Sequence, residues 1–278
     1  IGFYSPSQLV QDARRHGVEV RPVDVNISCW DSTLEERAAD RSEQPAVRLG
    51  LSRLRGMRPG AARRIEDERA LRPYNGVANL ARRAGLERQD LQVLAGGNAL
   101  LGLAGNRRQA LWQAVGAVPD KDLLRPTAPL EETPLLRPPS EGDDILGDYR
   151  AQGLTLGRHP LALLRQRLSE RRFMPASTLA TYKNGMLARA CGIVTVRQRP
   201  ATAKGVIFMT LEDETGTVNV IVWPALVERQ RREVLGAPLL GVYGVWPQEG
   251  IVRNLVAKRL VDMSAWLGRL PTSSRDFC

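Results

Sequence analysis

Residues 119–148 hold six prolines and eight acidic side chains against three basic ones, and this stretch divides the 278-residue chain. Proline interrupts helix and sheet alike, and like charge keeps a segment extended, so the block reads as a linker. Residues 48–118 carry net +8 and residues 149–186 net +6, while 1–47 and 187–278 carry −3 and +4. The overall +10 is built from arginine, because only four lysines are present. A planar guanidinium can give two hydrogen bonds to one phosphate, which suits a nucleic-acid partner, although GC-rich codon usage also favours arginine.

Several function classes are excluded. Cys29, Cys191 and Cys278 form no CxxC pair, so neither a disulfide framework nor a zinc site is expected. Only His16 and His159 are available for histidine chemistry. No apolar run approaches the roughly 18 residues a membrane span needs, and the N-terminus has no signal-type core, so a cytoplasmic location is expected. The chain starts at Ile1 rather than Met, which suggests a fragment of something longer.

The periodicity changes from one half to the other. Ser7 to His16 reads as a helix ending at Gly17, and Val18 to Val25 as a short extended piece. From Leu49 to Val115 apolar residues recur at helical spacing between frequent glycines, which predicts several short helices joined by tight turns. Beyond Gly185 the pattern becomes strand-like. Leu187–Arg197, Val206–Leu211 and Thr217–Trp223 read as strands, then Pro224 opens a helix, then Pro238–Trp246 and Ile251–Val261 read as strands. Three strands, a helix and two strands is the order of the five-stranded OB-fold barrel. The predicted fold class is therefore α+β multidomain: a helical, tandem helix-hairpin-helix domain over 48–118, the 119–148 linker, a helical connector over 149–186, an OB-fold over 187–262 and a tail over 263–278.

Leu54 to Ile65 fits the hairpin of a helix-hairpin-helix, with Gly56 and Gly60 at the turn. Such a turn presents backbone N–H groups and the positive helix end to a phosphate. Ala62 and Ile65 would pack the helix, while Arg58, Arg63 and Arg64 would face a duplex backbone without reading its sequence. A second hairpin is placed at Leu91–Leu100 around Gly96 and Gly97, facing either DNA or the first hairpin. Arg197, Arg199 and Lys204 are assigned to the loop between the first two barrel strands. Phe208, Trp223, Tyr243 and Trp246 are candidate base-stacking platforms. The Glu212-Asp213-Glu214 turn has no metal-ligand spacing, and Asp24, Asp31, Asp143 and Asp144 suggest no carboxylate cluster for nucleotidyl transfer. No catalytic residue, metal site or cofactor is assigned to this chain.

Certain strings add a resemblance. Gly2-Phe3-Tyr4-Ser5-Pro6, His16 to Asn26, Trp30-Asp31, Leu156 to Leu161, Gly192 to Pro200, Thr210 to Gly216 and Ser274 to Phe277 resemble the bacterial C-family DNA polymerases, in particular the error-prone paralogue of the polymerase III alpha subunit. The resemblance implies that 1–47 is the end of a fingers region, followed by hairpins, linker and OB domain. It implies catalytic aspartates and Mg²⁺ in an upstream palm of the parent, and DNA as primer–template duplex and single-stranded template. It also implies accessory proteins of a mutagenic repair cassette. Residues 119–148 lack the glutamine-led clamp-binding motif of the replicative relatives, which speaks against direct sliding-clamp binding. A freestanding binding module without polymerase activity stays open as the alternative.

Overall fold

Ser5 caps the first helix: its Oγ accepts from Gln8 N at 3.3 Å while its own N–H donates to Gln8 Oε1 at 2.8 Å. With this capping box and Pro6 at the first position, α1 spans Pro6–Arg15, starting one residue before the stretch read from the sequence. The computed structural model describes residues 5–36, 44–117, 134, 136–246, 248–249, 252–268 and 275–277. Gly2 to Tyr4, most of the acidic linker and Ser274 therefore lie outside the described residues. The chain divides into two units, Ile1–Gly157 and Arg158–Cys278, a boundary that falls inside the stretch read as a connector.

In the first unit β1 (Val20–Arg21), β2 (Thr33–Glu35) and β3 (Ala46–Arg48) form a small sheet in the order β1-β3-β2. Glu35 ties it together by accepting from both Arg21 and Arg48. Helices α2 (Pro59–Leu71), α3 (Val77–Arg83), α4 (Arg88–Gly96), α5 (Leu101–Ala104), α6 (Arg107–Gly116) and α7 (Glu141–Gln152) follow. They share one core with the early segment, in which Val23 and Val25 pack with Leu54, Ile65, Leu80, Leu94 and Leu100. Asn26 exchanges two hydrogen bonds with the Tyr74 backbone, fastening the segment to the helices. Residues read as the end of a separate region thus pack into the hairpin core.

Helix α7 begins inside the predicted linker. Ser140 and Asp143 form its capping box, and three acidic residues favour its positive end. Arg107, buried on α6, donates to the Asp144 carbonyl and the Asp148 carboxylate, so α7 is fixed against the bundle.

The second unit opens with α8 (Pro160–Glu170) and α9 (Ala176–Leu179). Strands β4 (Met186–Gln198), β5 (Ile207–Glu212) and β6 (Thr217–Val222) are followed by α10 (Pro224–Arg229) and α11 (Arg231–Gly236), two short helices where one was expected. Then come β7 (Leu239–Trp246), β8 (Gln248–Glu249), β9 (Val252–Asp262) and β10 (Arg275–Phe277). The neighbours β4-β5-β6-β9-β7 close through a β4–β7 pairing, and β6–β9 is the one parallel pair of that ring. This is a closed five-stranded mixed barrel consistent with an OB-fold, lined by Val194, Met209, Leu211, Val220, Val242 and Leu255.

Candidate nucleic-acid interface

Three glycines with positive φ turn the chain into a helix: Gly56 (+87°) before α2, Gly85 (+55°) before α4 and Gly105 (+79°) before α6. An L side chain rarely adopts that conformation, so these are the hairpin positions. The Leu91–Leu100 stretch is not one of them. Gly96 is the last residue of α4, and Gly97 ends it with its N–H bonded to the Val93 carbonyl. A Cβ on Gly97 would collide with Leu54, so this glycine admits the first hairpin against α4 rather than a phosphate. Gly85 was missed, although Ala84-Gly85-Leu86 repeats the small turn of Arg55-Gly56-Met57 just ahead of a helix.

Only the first of these three helix starts is open. At α2 the N-cap is Arg58, Pro59 has no N–H, and no side chain caps the turn, so the Gly60 and Ala61 amides lack a side-chain acceptor. At α4 a Glu87–Asp90 capping box closes the turn, and at α6 Asn106 accepts from Gln109 N at 2.9 Å. Arg63 is exposed beside the open turn and has no partner among the described residues.

The two neighbouring arginines are occupied. Arg58 donates to Asp90 at 2.9 and 2.6 Å and to Glu87 at 2.9 Å, so it neutralises carboxylates instead of facing outward unpaired. Arg64 donates to the carbonyls of Ala84 at 2.8 Å and of Gly60 and Gly85 at 3.2 Å, linking the first two hairpins.

On the barrel the predicted residues also separate. Arg197 lies within β4, not in the loop, and is buried, with donations to the Val234 carbonyl at 2.8 Å and the Ala237 carbonyl at 2.6 Å. It satisfies the end of α11, and its side chain also forms part of the wall of a cleft beside Arg199. Arg199 and Lys204 are exposed in the connection between β4 and β5. Phe208 and Trp223 are 38% and 53% exposed, and with Lys204 and Ile221 they line one cleft. Arg199, Lys204 and Arg231 line an adjoining one. Trp246, by contrast, is 3% exposed and belongs to the barrel core. Tyr243 is half-buried and meets Phe173 edge-on at 5.3 Å, away from the Phe208 cleft on β5 and β6.

The acidic turn is a structural fastening. Asp213 accepts from Ala176 N at 2.7 Å and from Thr215 N at 2.7 Å. Glu214 pairs with Arg165. Burial, the largest single influence, would raise the Glu214 carboxyl, but the Arg165 hydrogen bond and charge together with a backbone hydrogen bond at Glu214 hold the group below its ordinary value. Burial pushes the Cys191 thiol up to about 12, so it behaves as a small apolar side chain. Among the described residues no group of three or more His, Cys, Asp or Glu could hold a metal ion, and no helix is long and apolar enough to cross a membrane.

Comparison with known proteins agrees with this arrangement. A helix-hairpin-helix motif model matches residues 17–110. The error-prone DNA polymerase of Ralstonia nicotianae is 59% identical over all of this chain and 26% of its own length. The chain is a homologue of the error-prone DNA polymerases. Those of Bordetella parapertussis and Azoarcus sp. are 58% and 55% identical, over 97% and 100% of this chain and 26% of each relative. The chain thus spans about a quarter of the curated relatives it matches. The motif match begins at residue 17, so like the packed core it takes in the segment before residue 48.

Proposed function

We propose that this chain is the DNA-handling C-terminal portion of an error-prone polymerase used in damage-tolerant synthesis. The observation that carries this reading is the open N-terminus of α2, with uncapped Gly60 and Ala61 amides beside Arg63, unpaired among the described residues, in a chain homologous to DNA polymerases. That turn holds a duplex phosphate by backbone donors, dipole and charge, and reads no base. The cleft of Phe208 and Trp223, with Lys204 and Arg199 at its rim, takes the single-stranded template by stacking and phosphate contact.

The parent polymerase would extend a primer by nucleotidyl transfer in the cytoplasm, together with accessory proteins of a repair cassette and without direct clamp binding through residues 119–148. The Mg²⁺ that such chemistry uses would be held by carboxylates of the parent's palm. The part played by these residues is to bind and orient DNA.

Binding to a primer–template, a blunt duplex and a single strand across a salt series tests the reading. Preference for the primer–template with a steep salt slope is expected. Equal, weak binding to all three would leave the arginine excess without a DNA-binding role and favour a module that docks proteins.

A further inference from the structure

The outer face of β4, β7 and β9 carries a row of side chains whose arginines the contacts above do not use. Tyr243 of β7 pairs in register with Arg189 of β4 on one side and Arg259 of β9 on the other. Directly paired residues project from the same face, and strands lie about 4.8 Å apart, so the three form a transverse row. The guanidinium carbons of Arg189 and Arg259 lie 5.0 and 5.7 Å from the Tyr243 ring centroid. Phe173 and Trp266 belong to the same apolar cluster as Tyr243. Arg167 and Arg171, at the end of α8, stand 4.3 and 4.6 Å from the Trp266 ring. Arg189 Nη1 donates to the Arg171 carbonyl at 3.1 Å and joins the two groups.

Four guanidinium groups are therefore collected on one face, and among the described residues none has a carboxylate partner. Elsewhere in the chain arginines do find one: Arg48 with Glu35, Arg58 with Asp90, Arg107 with Asp148 and Arg165 with Glu214. Of the nearby acids, Asp262 accepts from Ser264 N at 2.9 Å, and Glu170 is exposed and has no ion pair among the described residues. Gathering like charges without a counter-charge is unfavourable, and stacking on the rings holds them in place. The two rings are flanked by guanidinium groups, so the face presents N–H edges rather than bare rings.

We propose that this face binds the phosphate backbone of nucleic acid, as a second contact surface of the barrel separate from the Phe208–Trp223 cleft. Guanidinium edges suit phosphate oxygens, and rings already engaged by arginine do not serve as base platforms. A row running across three strands matches the regular charges of a nucleic-acid backbone better than the scattered carboxylates of a protein surface.

The test uses the whole 278-residue chain with R171E/R259E, which leaves Arg167 on Trp266 and Arg189 on Tyr243. The slope of log affinity against log salt for a single-stranded oligonucleotide is expected to fall in magnitude by at least about 1.4, since each lost phosphate contact removes about 0.7. R171K/R259K should keep the slope. F208A/W223A, measured alone and combined with R171E/R259E, should weaken binding without changing the slope, and the two losses should add. An unchanged slope in a charge-reversed protein of normal melting temperature overturns the proposal, whatever the aromatic variant does. A loss shared by the lysine pair indicates packing and overturns it too. Should charge reversal lower the melting temperature, R171Q/R259Q gives the same reading from the slope.

Discussion

Arg58 Nη2 lies 2.6 Å from Oδ2 of Asp90, a carboxylate with no exposed surface, and 2.9 Å from Oε2 of Glu87. The cation nearest the open helix start is thus bound by the capping box of the next hairpin. Its charge is offset before a phosphate arrives, whereas Arg63 has no partner among the described residues.

Arg63→Ala should therefore reduce the salt slope of duplex binding by about 0.9, the value of one phosphate contact. Arg58→Ala should change the slope less and lower the melting temperature more, because it leaves Asp90 buried without its partner. Salt titrations of both variants, with thermal melts, check the ranking; a larger slope change for Arg58→Ala would reverse it.

Gly96 and Gly97 are adjacent and chemically identical but differ in surroundings. A Cβ on Gly96 meets nothing within 4 Å, while one on Gly97 collides with the buried Leu54. Gly97→Ala is expected to destabilise the chain by about 1–3 kcal/mol through overpacking, and Gly96→Ala to be near neutral. Denaturant melts measure this, and duplex binding by folded Gly96→Ala should match that of the unaltered chain.

How much the sequence discloses follows from the range of the interactions. The barrel was legible because its signals are local: the switch to strand periodicity after Gly185, the turn at residues 213–216 and Pro224 at a helix start. The open start of α2 was legible for the same reason, since Gly56, Pro59 and Gly60 act within a few residues. The roles of Arg58 and Arg197 were not. Their partners lie 32 residues away at Asp90 and 37 and 40 residues away at Val234 and Ala237, so identical side chains acquire structural or exposed roles through tertiary contacts. Phe208 and Trp246 differ in the same way: both are aromatics on strands, but one faces solvent and the other the barrel interior.

The contrast between Arg197 and its neighbours gives a further prediction. Arg197→Ala should cost about 2–4 kcal/mol, because two carbonyls at the end of α11 lose their donor in a buried setting. R199A/K204A should leave the melting temperature unchanged and weaken single-strand binding, with a lower salt slope. If Arg197→Ala instead melts normally and binds poorly, the guanidinium reaches the ligand and the structural assignment is wrong.

Acid sensitivity should trace to the carboxylates that arginine holds below their ordinary range. Glu214 is raised by its burial but more than offset by the hydrogen bond and charge of Arg165 acting with a backbone hydrogen bond, so its net direction is down. Glu35 is lowered chiefly by the hydrogen bond from Arg48, with Arg21 assisting. A carboxyl depressed in the folded state contributes stability that is present above its unfolded value, near 4.5, and lost as pH falls through the folded value. Glu214→Gln should therefore melt at a lower temperature than the unaltered chain at pH ~7, with the gap narrowing by pH ~3.5. Melting curves of both proteins at the two pH values settle the point. A gap that stays constant with pH would mean that Glu214 contributes through shape and neutral hydrogen bonding, not through its charge on Arg165.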